Sequence, residues 1–244
     1  MTHPVILKND SHRKLRVNTN RGAEYGENVH IIPVIGDELS ELVLDFPVIL
    51  LKNEETDKFN LYALMGLEPG ENLYLQGEHW NASYLPLHFR RQPFLLAFTD
   101  EEKQATAIHE AKLAIDMDSK RINESQGEAI FNEDGSRTPY LEGIIELLGT
   151  LGKGIESTEV FIAKLVEHDL IETKQLNVTF ANGEQKSIGG IHALNADKLG
   201  DLKGEVVADL HSRGFLQACY MMLASIGHVE KMIKMKNATL TKWR

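Results

Sequence analysis

The sequence predicts an α+β fold, with an antiparallel, β-rich N-terminal part over about residues 1–135 and a mainly helical C-terminal part over about 136–244 that contains a β-hairpin. Three observations carry this. In the first part, short apolar runs alternate with turn signals at Asp57, Gly66, Pro69-Gly70 and Gly77, the pattern of an antiparallel meander. From Thr138 onward the apolar period becomes helical. Within the helical part, "LNVTFANGEQKSIGGI" carries Asn182-Gly183, the strongest two-residue hairpin signal. The two parts are expected to form a single domain.

Taken in order, "VHIIPVI" (29–35) reads as a strand, and "GDELSELVLDF" as a helix with Leu39, Leu42 and Val43 at helical spacing until Pro47 ends the pattern. The runs "PVILL", "LYALMGL" and "NLYLQ" read as strands of the meander, followed by "PFLLAF" and by "ATAIHEAKLAID", whose Ala, Glu and Lys leave a helix open. Thr138-Pro139 is an N-cap and first-turn pair for a helix "TPYLEGIIELLGTL", with Leu141, Ile144, Ile145 and Leu148 on one face. A second helix is expected in "STEVFIAKLVEHDL". After the hairpin, Phe215, Cys219, Met222, Ile226 and Val229 mark "GFLQACYMMLASIGHVEKM" as one helix with an apolar face, a stripe that reads as core.

Composition narrows the function. The formal net charge of −10 opposes a role in binding nucleic acid, which demands Lys and Arg to displace counterions. The basic stretches "SHRKLR" and "KMIKMKNATLTKWR" read as solvated charge. One cysteine, Cys219, excludes an intrachain disulfide, and its apolar neighbours mark it as a buried small residue. The start "MTHPVILKND" holds too short an apolar stretch for a signal peptide, and no run approaches the ~20 apolar residues of a membrane span. The expected location is cytoplasmic, so the sequons at Asn81, Asn123, Asn177 and Asn237 carry no weight.

No catalytic or metal motif is complete. His109-Glu110 begins like a zinc-protease helix, but Leu113 stands where the second histidine belongs. Asp116 and Asp118 begin like a calcium loop, but Lys120 takes a ligand position and Arg121 the place of the glycine. No metal and no cofactor are expected. The densest unusual segment is "EHWNASYLPLHFRRQPF" (78–94), where Trp80, Tyr84, His88, Arg90 and Arg91 lie close in sequence. Arginine beside aromatics suits carboxylate or phosphate recognition, because guanidinium both stacks and donates a two-pronged hydrogen bond. These five residues are the candidate ligand or partner patch. An architectural use of the same residues predicts that one of the adjacent arginines is largely buried against a carboxylate from elsewhere in the chain while the other points outward or into a cleft.

The chain resembles the bacterial SapC-like family in "HRKLRV" (12–17), "IPVIGDELSELVLDFPVIL" (32–50), Trp80 followed by "YLPLHFRRQPF", Ile115-Asp116, "GEAIFNEDGSRTPYL" (127–141), "FIAKLVEHDLIE" (161–172) and "RGFLQACYMMLASIGHVEKM" (213–232). The heptapeptide "ENLYLQG" (71–77), which looks like a protease-tag remnant, lies where the family has a strand before that tryptophan and is therefore native. The resemblance implies an accessory protein found beside tryptophan-halogenase-like enzymes, cupin-like proteins or TonB-dependent receptors, with a surface-layer role as a further implication. It brings no catalytic residues. A non-enzymatic binding or accessory protein, with another protein or a peptide-like ligand as partner and a homo-oligomer open, is the first reading. The alternative is an enzyme acting on a peptide or amino-acid-like substrate, with Arg90 or Arg91 holding a carboxylate and His88 as general base.

Overall fold

A computed structural model describes residues 3–97 and 112–241. Its strands are β1 (Pro4–Ile6), β2 (Arg16–Val17), β3 (Ile31–Pro33), β4 (Val48–Lys52), β5 (Phe59–Leu64), β6 (Leu75–Gln76), β7 (His79–Trp80), β8 (Phe94–Ala97), β9 (Lys112–Asp116), β10 (Ile122–Asn123), β11 (Glu128–Ala129), β12 (Ile171–Thr179) and β13 (Gln185–Leu194). Its helices are α1 (Asn9–His12), α2 (Leu39–Leu42), α3 (Leu87–Arg90), α4 (Pro139–Glu167), α5 (Ala196–Gly200), α6 (Gly204–Ser212), α7 (Phe215–Ser225) and α8 (His228–Thr241). Among the described residues all strand pairings are antiparallel, and the fold class is α+β.

The chain divides into two compact units. One gathers residues up to 27, 75–80 and 87–153; the other holds 28–74, 81–86 and the chain from 154. In the first unit, β1-β9-β8 and β10-β2-β11 form two three-stranded sheets, and β6-β7 a two-residue hairpin. Val17, Phe94, Ala114, Ile115 and Ile130 are fully buried there. In the second unit a five-stranded sheet runs β12-β13-β4-β5-β3, with Leu42, Phe46, Leu50 and Ala63 at its core. The C-terminal hairpin joins the meander through a short register, Ile191 opposite Leu51 and His192 opposite Leu50.

Several elements depart from the sequence pattern, each for a local reason. The two helices expected around residues 139–170 are one helix of 29 residues. Thr138 caps it as expected, its Oγ1 accepting the Leu141 N–H at 3.3 Å. Gly154, which lies between the two expected helices, is a packing contact: a Cβ there would stand 2.2 Å from Ile35 Cδ1. Conversely, the single helix expected from Phe215 to Val229 is split at Ile226-Gly227. Ser225 Oγ donates to the Met222 carbonyl (2.7 Å) and accepts the Val48 N–H (2.9 Å), tying the last turn of α7 to β4. α5 and α6 fall in a stretch where the sequence pattern predicts no element.

The stretch "NLYLQ" is a strand only at Leu75–Gln76. Tyr74 is fully buried in the preceding turn, its hydroxyl donating to the Asp45 carbonyl at 2.8 Å and its ring 4.6 Å from that of Phe46. An aromatic anchored by its hydroxyl therefore replaces ladder pairing at this point. Gly77, at φ +63°, occupies the hairpin tip. His109, Glu110 and most of "ATAIHEAKLAID" lie outside the described residues; its final five residues form β9. Among the described residues, no helix is long and apolar enough to cross a membrane.

Candidate functional site

The segment after α3 turns sharply into β8. Arg91 N–H donates to the Leu87 carbonyl (2.9 Å), Gln92 N–H to Phe89 (3.2 Å) and Phe94 N–H to Arg91 (2.7 Å), while Asp116 N–H takes the Pro93 carbonyl (3.1 Å). Leu87 and Phe89 are buried and Phe89 meets the Trp80 ring edge-on at 5.5 Å, so one face of this helical turn is spent on packing. Adjacent residues cannot share a direction on a helix. Arg90 accordingly is exposed and Arg91 half-buried.

Arg91 does not pair with a carboxylate, as the architectural reading of the sequence predicts. Its Nε donates to His88 Nδ1 (3.3 Å) and its Nη1 to the Phe94 carbonyl (2.8 Å), and no carboxylate of the described residues forms an ion pair with it. The physical reason is local: the turn from α3 into β8 brings a backbone carbonyl and a ring nitrogen to the guanidinium before any acidic side chain. Burial holds the Arg91 pKa below its usual value. Burial and then the Arg91 charge push His88 down to about 4. His88 is therefore neutral at physiological pH and engaged through Nδ1 as an acceptor.

Arg91 and Gln92 line a cleft of about 480 Å3 in the first unit together with Glu24, Tyr25, Asp116, Asp118 and Lys120. Gln92 Oε1 is buried and has no partner among the described residues. Asp116 Oδ1 accepts the N–H groups of His3 (2.8 Å) and Asp118 (3.2 Å), so the pair that resembles the start of a calcium loop is a hydrogen-bonded turn. Among the described residues, no group of three or more His, Cys, Asp or Glu is placed to hold a metal ion.

Behind this wall sits an ion-pair lock that sequence reasoning missed. Arg121 is 1% exposed and Glu27 fully buried, with Nη2 and Oε1 2.6 Å apart. Arg121 Nη1 donates to the carbonyls of Asn18 (3.0 Å) and Asn20 (2.7 Å), and its guanidinium lies 4.6 Å from the centre of the Tyr25 ring. Glu27 Oε2 accepts the Gly22 N–H (2.9 Å), and Arg21 Nη1 lies 2.6 Å from Oε1, off the hydrogen-bonding axis. The lock fixes the 18–27 loop and so places Tyr25. In the sequence Arg121 was visible only as the residue that spoils a calcium loop.

Of the five candidate residues, the fold joins His88 to Arg91 directly and packs Trp80 on Phe89 one residue away. Arg90 faces solvent. Tyr84 belongs to the second unit, where its hydroxyl donates to Glu38 Oε1 at 3.0 Å and the neighbouring Ser83 donates from N (2.7 Å) and Oγ (2.5 Å) to Asp45 Oδ2.

In comparison with known proteins, the family model described as SapC matches residues 7–232. No curated protein and no solved structure matches the chain.

Proposed function

The chain belongs to the SapC family, and on that premise we propose that it works by binding rather than by turnover, as a non-enzymatic accessory protein whose cleft receives the free carboxylate of a peptide-like ligand at Arg91. One observation carries the reading: a half-buried guanidinium at the wall of a cleft, held by a neutral ring and a carbonyl and forming no ion pair with any carboxylate of the described residues. Desolvating a cation is costly unless an anion compensates it, so a carboxylate entering the cleft gains more at Arg91 than at an exposed arginine. The buried, unpartnered Gln92 Oε1 offers an acceptor for an amide N–H of the same ligand.

Two groups that an enzyme would recruit are poorly suited to chemistry. A His88 that protonates only near pH 4 and already accepts from Arg91 is a weak general base. Burial pushes the Cys219 thiol up to about 12, which leaves no thiolate at neutral pH. The reading treats the chain as one SapC-like domain acting in the cytoplasm, where the family resemblance sets it beside halogenase-like enzymes or TonB-dependent uptake. Calorimetric titration with short peptides, each as free acid and as C-terminal amide, tests it. At least one free acid should bind with its amide weaker by about tenfold or more. Equal affinities, or no free acid that binds, would overturn the reading.

A further inference from the structure

We propose that two copies of this chain associate through β12, antiparallel across a two-fold axis centred on Thr173. The two edges of the five-stranded sheet differ. β3 is three residues long and ends in Pro33, a short edge without a full set of donors. β12 is nine residues long, carries no proline, and among the described residues pairs on one side only, with β13. Its outward backbone groups have no partner among the described residues, which makes it a template for another strand.

The sequence of the edge selects the occupant. With the axis perpendicular to the sheet at Thr173, Glu172 of each copy stands opposite Lys174 of the other, twice, and Thr173 faces itself. Moving the axis one residue to Glu172 or to Lys174 sets like charges against each other. Moving it to Gln175 removes the charge pairing and puts the axis on the irregularity between Lys174 and Leu176, where the ladder loses register. Within one copy Lys174 Nζ already lies 2.6 Å from Glu172 Oε1, and Glu172 Oε2 accepts from Asn195 Nδ2 at 2.8 Å. The charges are thus held in place before the second copy arrives. The ladder supplies the association and the charges its register, a division expected for partly exposed ion pairs. This edge belongs to the second unit and the dimer does not depend on the cleft being occupied.

Sedimentation equilibrium across a wide concentration range tests the proposal, with circular dichroism to confirm that each variant is folded. The wild-type chain should reach twice its monomer mass. Lys174→Glu, which puts acidic side chains opposite one another, should weaken the dimer about tenfold or more. The charge swap Glu172→Lys with Lys174→Glu should recover most of that loss. A chain that stays monomeric throughout, a dimer indifferent to Lys174→Glu, or a folded swap variant no tighter than Lys174→Glu would each overturn the proposal.

Discussion

Replacing Arg121 with methionine removes the cation of the buried lock while keeping the length and apolar body of the side chain. Glu27 then keeps Arg21 and the Gly22 N–H, and the Asn18 and Asn20 carbonyls lose a charged donor. Breaking a fully buried pair costs about 3–5 kcal/mol. Arg21 remains 2.6 Å away and is only 17% exposed, so the low end applies, about 3 kcal/mol. For a chain of this size that corresponds to a fall in melting temperature of roughly 6–12 °C. Urea unfolding of Arg121→Met, Glu27→Leu and the double variant should give a double variant less damaged than the sum of the singles by about 1 kcal/mol or more, since two apolar residues leave no stranded charge. A single-variant cost below about 1 kcal/mol, or strict additivity, would refute the lock as the element that fixes the cleft wall.

His88 should make stability depend on mild acid. Its folded pKa of about 4 lies below its unfolded value near 6.5, so below pH 6.5 the unfolded chain takes up a proton that the folded chain refuses, and stability falls from there down to about pH 4. Removing His88 as glutamine should flatten that slope by an amount on the order of 3 kcal/mol across the window, read by unfolding at several pH values; an unchanged slope would contradict its burial. Gly154→Ala should destabilise by about 1–3 kcal/mol, because the new methyl collides with Ile35; a neutral or stabilising effect would show that α4 and Ile35 have room to shift. The tag-removal protease that recognises sequences like "ENLYLQG" should cut slowly in the native state, because Tyr74, upstream of the exposed Gln76-Gly77 bond, is fully buried. Rapid clean cleavage would mean that this turn opens freely.

Elements driven by local signals were legible in the sequence. Thr138 at the head of α4, the Asn182-Gly183 turn and the apolar runs of β4, β5 and β8 all follow from chemistry within a few residues. What was not legible depends on partners distant in the chain. Gly154 lies between the two expected helices with no local sign that Ile35 packs against it, and Ser225 looks like an ordinary helical residue until Val48 donates to its hydroxyl. The candidate patch divides the same way. The adjacency of Arg90 and Arg91 guarantees that they diverge, whereas their partners, and the departure of Tyr84 to Glu38, are tertiary facts. The Glu27–Arg121 lock spans 94 residues and has no local signature.

The central claim is that Arg91, held half-buried at the cleft wall, receives a carboxylate. The most direct measurement is calorimetric titration of a free-acid peptide that binds the wild-type chain into Arg91→Gln and Arg90→Gln, at a pH where both variants are folded. Loss of a charge-assisted pair predicts an affinity lowered by about 1.5–3 kcal/mol, roughly tenfold to more than a hundredfold, in Arg91→Gln and an affinity close to wild type in Arg90→Gln. Equal losses in the two variants, or none in Arg91→Gln, would contradict it.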